Sequence, residues 1–222
     1  MPQTAEVRNG QRYGRAVAHR SDPAFHVLHR LRLRGRLDLD ALAAAMGVPA
    51  GEVQRLLDAA AADGLVVHRD GRIAGWSLTP DGRARHLELL QAERDAAACA
   101  AEVDDSYQRF LELNLELVAV CTRWQLLDEH TLNDHSDRAH DERVIAELHG
   151  IDDRAQPVCA ALADTLSRMA SYPTRLTTAL GRIDGSEPQW FTSPAIDSYH
   201  TVWFELHEDL LQTLGIERGE GR

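Results

Sequence analysis

The sequence predicts a mainly α-helical protein that contains one small β-element near its N terminus. Apolar residues recur at helical spacing over most of the chain. Two short apolar runs flank the polar turn at 69–72 and predict a pair of strands. From residue 80 onward the pattern is helical almost throughout, with breaks at Pro173, Pro194 and the loop at 185–188. The chain therefore divides into a mixed N-terminal part and an all-α remainder.

A polar arm and a helix begin the chain. Residues 1–22 are polar and aperiodic, so we expect an arm without regular structure. Asp22 can cap a helix that starts at Pro23, because a carboxylate accepts hydrogen bonds from the first N–H groups and proline suits the first turn. Gly35 is expected to end this helix.

Two further helices, separated by a tight turn, are predicted next. The first opens at Asp38 or Asp40, and the second covers about residues 50–63. The turn at 47–49 separates them, because its glycine adopts positive φ and its proline blocks helix continuation. The predicted strands are Leu65–Val67 and Ile73–Leu78. This order is that of a winged helix-turn-helix (an α/β wing), and the all-α remainder is expected to be a helical bundle domain.

The stretch Leu78-Thr79-Pro80-Asp81-Gly82-Arg83 closes this pattern and opens the next helix. The order of elements together with this L-T-x-x-G-R stretch resembles the MarR-type winged helix over residues 24–90. The resemblance implies a DNA-binding transcriptional regulator whose third helix contacts bases. The remainder of the chain does not resemble the one or two dimerisation helices that end proteins of that family.

Two weaker resemblances concern the all-α remainder. A winged helix followed by helices is similar to the FadR-type regulators, whose helical domain often holds a carboxylate through a metal. Residues 95–222 contain no Asp-x-x-x-His followed by the later histidines that such a site needs. The segment 197–209 is similar to regions associated with actinobacterial proteins of the pyruvate phosphate dikinase group, whose catalytic apparatus is absent from the sequence. That similarity implies a module that regulates a partner such as a phosphoenolpyruvate-utilising enzyme.

Charge is divided unevenly along the chain. Residues 1–94 hold 14 Arg and 11 Asp or Glu, a net charge of +3, whereas residues 95–222 hold 10 Arg and 24 Asp or Glu, a net charge of −14. A basic part beside an acidic one suits a DNA-facing module joined to a domain with other partners. We predict an arm at 1–22, a winged helix domain at 23–94, and a dimerisation or effector domain at 95–222.

Polar and basic residues of the predicted third helix, the turn and the end of the first helix are the candidates for contact with double-stranded DNA: Gln54, Arg55, Arg69, Arg72, Arg34 and Arg36. Gln54 could contact adenine, and Arg55 could contact guanine or a phosphate. Glu52 and Asp58 on the same helix would repel phosphate. A basic surface over the third helix and the turn favours DNA binding, whereas a neutral or acidic surface favours a protein-interaction module.

Polar and aromatic residues on otherwise apolar faces of two helices are the candidates for binding a small-molecule effector: Asn114, Trp124, His200 and Trp203. We predict that they line one cavity that suits a small carboxylate or a polar aromatic compound, because a buried amide or imidazole needs a partner. Core packing with a dimer seam explains the same apolar stripes. The stripes after residue 95 also predict a homodimer.

Several classes of protein are not expected. The chain has no long apolar run and no signal-peptide core, so we expect a cytosolic protein without a membrane span. No glycine-rich phosphate loop or G-x-S-x-G is present, and no enzyme or cofactor is predicted. Asp137, His140 and Asp141 could share a helix face, but without H-E-x-x-H spacing we expect capping or solvated groups and no metal.

Overall fold

The computed structural model describes residues 18–71 and 74–216. The protein is mainly helical with one small antiparallel sheet, so this coarse prediction of fold class is confirmed. The elements, in chain order, are α1 (Pro23–Arg34), α2 (Leu39–Met46), α3 (Ala50–Ala62), β1 (Val66–Arg69), β2 (Gly75–Leu78), α4 (Pro80–Ala97), α5 (Ala100–Gln125), α6 (Arg138–Thr165), a 3₁₀ turn (Ser167–Ala170), α7 (Ser171–Asp184), α8 (Gln189–Thr192) and α9 (Tyr199–Leu214).

Capping residues set the limits of the first two helices, as the sequence predicts. The Asp22 carboxylate accepts hydrogen bonds from the backbone N–H groups of Ala24 and Phe25, at 2.8 and 3.1 Å. Asp38 caps α2 in the same way. Gly47 ends α2 in the left-handed conformation, at φ 68°, and this residue begins the predicted turn into α3.

The two strands differ from the predicted bounds. The first extends to Arg69, which the sequence assigns to the turn, and the second starts at Gly75. Val66 pairs with Leu78 and Arg69 pairs with Gly75. The predicted start of the return strand, Ile73, lies outside the described residues.

The Leu-Thr-Pro-Asp-Gly-Arg stretch brings the start of α4 against the chain that precedes β1. The Thr79 hydroxyl accepts a hydrogen bond from the Gly82 N–H at 2.9 Å and donates to the Gly64 carbonyl at 2.8 Å. A β-carbon on Gly82 would lie 1.9 Å from the Leu65 carbonyl oxygen. Glycine is therefore required at position 82 by the close approach of two backbones.

One helix replaces two that the sequence predicts. The expected helices at 138–149 and 153–170 are a continuous α6 that ends at Thr165, followed by the 3₁₀ turn. The predicted break at 150–152 does not occur, because Ile151 and Asp152 are buried and the Tyr199 hydroxyl donates to the Asp152 carboxylate at 3.0 Å. Pro157 lies inside α6 on the exposed side, where its missing N–H is tolerated.

The buried apolar side chains form two separate clusters. The first extends from Val27 to Leu78 and the second from Cys99 to Leu211. We call residues 18–97 the N-terminal part and residues 99–216 the helical part. Within the described ranges, no helix has both the length and the apolar content that crossing a membrane requires.

Candidate functional site

The outer face of α3 exposes one basic side chain together with two carboxylates and several small residues. Val53 and Leu57 point into the first cluster and are fully buried. Arg55 lies on the opposite side and is exposed, and its Nε donates to the Gly51 carbonyl at 3.2 Å. Gln54 is half-buried, and its amide donates to the Asp58 carboxylate at 2.7 Å. Both predicted base-contacting residues therefore lie at or near the outer face of α3.

The predicted arginines of the turn and the first helix lie in different environments. Arg69 is exposed at the end of β1, next to the turn. Arg36 is half-buried and packs beside Gly75. Arg72 lies outside the described residues. Arg34 points towards the helical part and forms ion pairs with Asp197 at 2.9 Å and Glu205 at 3.0 Å.

The outer surface of α3, β1 and the adjoining turn is acidic in its described residues. Four exposed carboxylates lie there: Glu52, Asp58, Asp63 and Asp70. Two exposed guanidinium groups, those of Arg55 and Arg69, oppose them. The described residues of this surface therefore carry a net negative charge, whereas a positive electrostatic potential would favour DNA.

A buried ion-pair network joins the N-terminal part to the helical part. Its centre is Glu205 of α9, whose carboxylate is fully buried and accepts hydrogen bonds from Arg30, Arg34 and Arg175. Burial alone would raise the pKa of Glu205, but the guanidinium groups of Arg30 and Arg175 outweigh it and lower the pKa to about 2. Glu205 therefore stays ionised, and the bonds that it accepts are charge-assisted.

Asp209, one turn further along α9, forms the second centre of this network. Its carboxylate accepts hydrogen bonds from the Tyr172 hydroxyl at 2.9 Å, from Arg168 and from His29 Nε2 at 2.9 Å. His29 Nδ1 lies 2.8 Å from His86 Nε2. Asp209, His29 and His86 form a continuous hydrogen-bonded chain from α9 through α1 to α4.

Burial keeps both imidazoles of this chain neutral. It lowers the pKa of His86 to about 3, and the neighbouring His29 acts in the same direction. Burial also lowers the pKa of His29, against the opposing effect of Asp209. The pKa of Asp209 is well below its usual value because Arg168 and His29 outweigh the cost of burial.

This network was not predicted, although the spacing of charged residues on α1 and α9 indicates it. Arg30 and Arg34 are four residues apart on α1, and Glu205 and Asp209 are four residues apart on α9. Residues at this spacing share one helix face. Charges that interrupt an apolar helix at this spacing indicate that two helices meet through ion pairs.

Two of the predicted effector-binding residues contact each other. The Trp203 indole donates to the Asn114 amide oxygen at 3.0 Å. The Trp203 ring is buried and stacks on Phe110 with a centroid distance of 4.6 Å. The polar group that Asn114 brings to this face is thus satisfied within the protein, and needs no ligand.

The other two residues of that set lie in different surroundings. Trp124 is buried and stacks on Phe191 with a centroid distance of 4.3 Å, whereas His200 is exposed. Three surface depressions, with volumes of about 320, 340 and 350 Å³, are lined by other residues. Trp124, Trp203 and Asn114 therefore take part in helix packing, whereas His200 faces solvent. The small-molecule effector stays a prediction.

The acidic and histidine residues near the start of α6 have structural partners. Asp137 caps α6 by accepting a hydrogen bond from the His140 N–H at 3.0 Å. The His140 ring bonds to the Arg123 carbonyl at 2.8 Å, and Asp141 accepts from Asn133 at 2.8 Å. Asp137 therefore caps α6, as expected from the sequence, and His140 and Asp141 bind the end of α5 and the loop that follows it.

Searches of protein-family models, of curated proteins and of solved structures find no match to this chain.

Proposed function

We propose that residues 23–83 form a winged helix-turn-helix that binds double-stranded DNA, and that the protein is a transcriptional regulator. In this proposal α2 and α3 are the helix-turn-helix, and β1 and β2 flank the wing. The observation that carries it is the outer face of α3, where the exposed Arg55 is the one arginine of the helix while Val53 and Leu57 anchor the helix from behind. A helix presented in this way can enter a major groove.

Two further features support the proposal. The N terminus of α3 follows Pro49 and has no side-chain cap. The Glu52 N–H donates to the Pro49 carbonyl at 2.9 Å, which leaves the N–H groups of Ala50 and Gly51 for a phosphate. Arg69 is exposed beside the turn, where a wing approaches the DNA backbone. Arg34 is left out of the proposed DNA contacts because its guanidinium is bound to Asp197 and Glu205.

Selection of a duplex from genomic fragments, followed by mobility shifts over a salt series, tests the proposal. We expect Arg55→Ala to weaken binding by about 1–3 kcal/mol and to relax sequence preference, because a side chain that reads bases carries discrimination. Arg69→Ala is expected to weaken binding to all sequences alike and to reduce the salt slope by about 1.

Arg143→Ala is the matched control for Arg55→Ala. Arg143 is also exposed on a helix, and its Nε donates to the carbonyl of the residue four positions earlier, at 3.0 Å. It lies on α6, away from the proposed site, so its variant should bind as the wild type does. Failure to bind any duplex at low salt would overturn the DNA proposal.

We also propose that the protein is a homodimer that associates through the outer face of α5. Leu115 and Val118 are three residues apart on α5 and are 75% and 57% exposed. Phe204 of the neighbouring α9 is 46% exposed. Exposed apolar groups of this size on adjacent helices are typical of association surfaces.

Light scattering at tens of micromolar tests the dimer, since stable interfaces bind more tightly than this. Leu115→Glu is expected to give monomers, because it places a charge in the apolar contact. Leu87→Glu on α4, which is 62% exposed in the wild type, is the control and should leave the mass unchanged. A monomeric wild-type protein would exclude the dimer.

A protein-interaction module is the second candidate function, and the acidic outer surface favours it. Four carboxylates against two guanidinium groups on α3, β1 and the turn would suit a basic partner surface. The double variant Glu52→Arg with Asp58→Arg separates the two functions. It should weaken binding to a basic partner protein, because it removes two carboxylates from the contact. The same variant should strengthen any binding to DNA.

A further inference from the structure

Charged and imidazole side chains, rather than apolar ones, fill much of the boundary between the N-terminal part and the helical part. The two apolar clusters are separate on either side of it. His29 of α1 and His86 of α4 are both fully buried at this boundary. Contacts made of such groups depend on protonation, unlike an apolar core.

The ionised groups of the boundary balance without any proton on the imidazoles. Four guanidinium groups and four carboxylates form its ion pairs: Arg30, Arg34, Arg168 and Arg175 with Glu93, Asp197, Glu205 and Asp209. Each of these carboxylates already pairs with a guanidinium group, although Glu93 Oε1 accepts no hydrogen bond. A further positive charge on an imidazole would therefore have to share a carboxylate that is already neutralised.

The hydrogen-bond chain assigns the imidazole protons. Asp209 is a carboxylate that only accepts, so His29 donates through Nε2–H and keeps a lone pair on Nδ1. His86 then donates through Nε2–H to His29 Nδ1. His86 Nδ1 is left as a buried lone pair without a hydrogen-bond partner. A proton added to the pair must go to this nitrogen, where nothing accepts a hydrogen bond from it.

We propose that Asp209, His29 and His86 form an acid-sensitive contact that holds α1 and α4 against α9 while both imidazoles are neutral and releases them when the imidazoles take up protons. This inference concerns the relative position of the two parts and does not depend on DNA binding.

The surroundings of the pair make a buried imidazolium unfavourable. The titratable and charged groups that face it are His26, Arg30 and Arg32 from α1, Glu93 from α4, Arg168 from the 3₁₀ turn, Tyr172 and Arg175 from α7, and Glu205 from α9. Arg168 Nη1 lies only 3.2 Å from His29 Nε2, and both point at Asp209. A new cation would be repelled by Arg168, and the carboxylates are already engaged.

The difference in imidazole pKa between the closed and released forms sets how strongly the release depends on pH. In the released form the imidazoles are in water and titrate near pH 6.5, whereas burial lowers the pKa of His86 to about 3 in the closed form. Each proton taken up on release shifts the equilibrium about tenfold per pH unit below pH 6.5. Uptake by His29 makes this dependence steeper, because burial lowers the pKa of His29 as well.

Förster energy transfer between dyes on the two parts measures the release. Ala59→Cys on α3 and Glu142→Cys on α6 are exposed attachment points, and the three native thiols are buried. We expect constant transfer at about pH 7.5 and a loss of transfer between about pH 6.5 and 4.5 while far-ultraviolet circular dichroism still shows the helices. The slope should indicate more than one proton.

His86→Gln is the decisive variant. Its side-chain amide can donate to His29 and cannot take up a proton at these pH values, so the slope should fall by about one proton. The control, His149→Gln, removes an imidazole that is 43% exposed and paired with Asp184, and should leave the curve unchanged.

Three results would overturn the acid-sensitive contact. Transfer that stays constant to pH 4.5, helicity that is lost together with transfer, or an unchanged slope in His86→Gln would each do so. Should His86→Gln not fold, the imidazole ¹⁵N shifts of the wild-type protein give the answer. The proposal requires that both rings stay neutral down to the pH at which energy transfer is lost and that they take up protons over the same pH range. Protonation of either ring at a higher pH than the loss of transfer contradicts the proposal.

Discussion

At the scale of single residues, Glu205 is the group on which most of the boundary depends. It is fully buried and accepts hydrogen bonds from three arginines that belong to α1 and α7. A buried pair is not by itself strongly stabilising, because desolvation offsets attraction. Removing one partner is different, since it leaves the opposite charges buried without compensation.

We therefore expect Glu205→Gln to lower the free energy of unfolding by about 3–5 kcal/mol. Chemical denaturation followed by circular dichroism measures this. Glu88→Gln is the control, because Glu88 is 66% exposed in its pair with Arg85, and such pairs contribute at most about 1 kcal/mol. Equal destabilisation by the two substitutions would show that the Glu205 network does not hold the parts together.

At the scale of elements, the start of α4 depends on the close approach of its backbone to Leu65. Thr79 caps the helix and also donates to the chain at the end of α3. Gly82 leaves the room for this approach. The Thr-x-x-Gly spacing thus places α4 directly after β2, and α4 in turn brings His86 and Glu93 to the boundary.

Gly82→Ala is expected to destabilise the protein, because its β-carbon would overlap the Leu65 carbonyl oxygen at 1.9 Å. A clash with backbone cannot be relieved by a rotamer change, so we expect a loss of about 2 kcal/mol or more. Gly150→Ala is the matched substitution in α6, where a β-carbon meets open space. It should instead stabilise by about 0.5–1 kcal/mol. Thermal unfolding of both variants measures the contrast, and the same sign for both would contradict it.

At the scale of the whole molecule, the histidines and carboxylates with lowered pKa values make the protein less stable in acid. His26, His29 and His86 have lowered pKa values in the folded protein, so the unfolded chain binds more protons below about pH 6.5. Glu205, with a pKa of about 2, adds a further loss below about pH 4.5. Every one of these shifts makes the folded state less stable in acid than at neutral pH.

We expect the free energy of unfolding to change little between about pH 7 and 8 and to fall as pH decreases below that range, by up to about 1.4 kcal/mol per unit for each of these imidazoles. It should also fall above about pH 8.5, because burial raises the pKa of Cys121 and Cys159 to about 12 and the unfolded chain loses those protons first. Urea denaturation over a pH series measures the slope. The variant His86→Gln should lower the slope below pH 6.5, and His130→Gln, which changes an exposed histidine, should not. A wild-type slope of zero between about pH 6.5 and 5 would contradict the assignment of neutral buried imidazoles.

Several helix starts and ends could be located from the sequence, because the residues that set them lie within a few positions of each other. Asp22 and Asp38 as caps, Gly35 and Gly47 as helix ends, and the Thr79-Pro80 start of α4 all act within a few residues, so they could be located without knowledge of the fold. The face of α3 that carries Arg55 follows from helical periodicity for the same reason.

The sequence did not show which polar side chains point inwards, because their partners lie on helices that are distant in the chain. Arg34 was a candidate for DNA contact because it is a basic residue at the end of the first helix. In the structure it pairs with Glu205, 171 residues away. Asn114 and Trp203 appeared to line a ligand cavity and instead satisfy each other across two helices. The continuity of α6 through Gly150 depends likewise on Asp152 meeting Tyr199. Periodicity gives the face of a helix on which a charge lies, but its partner is set by how the helices pack, and that information is not local.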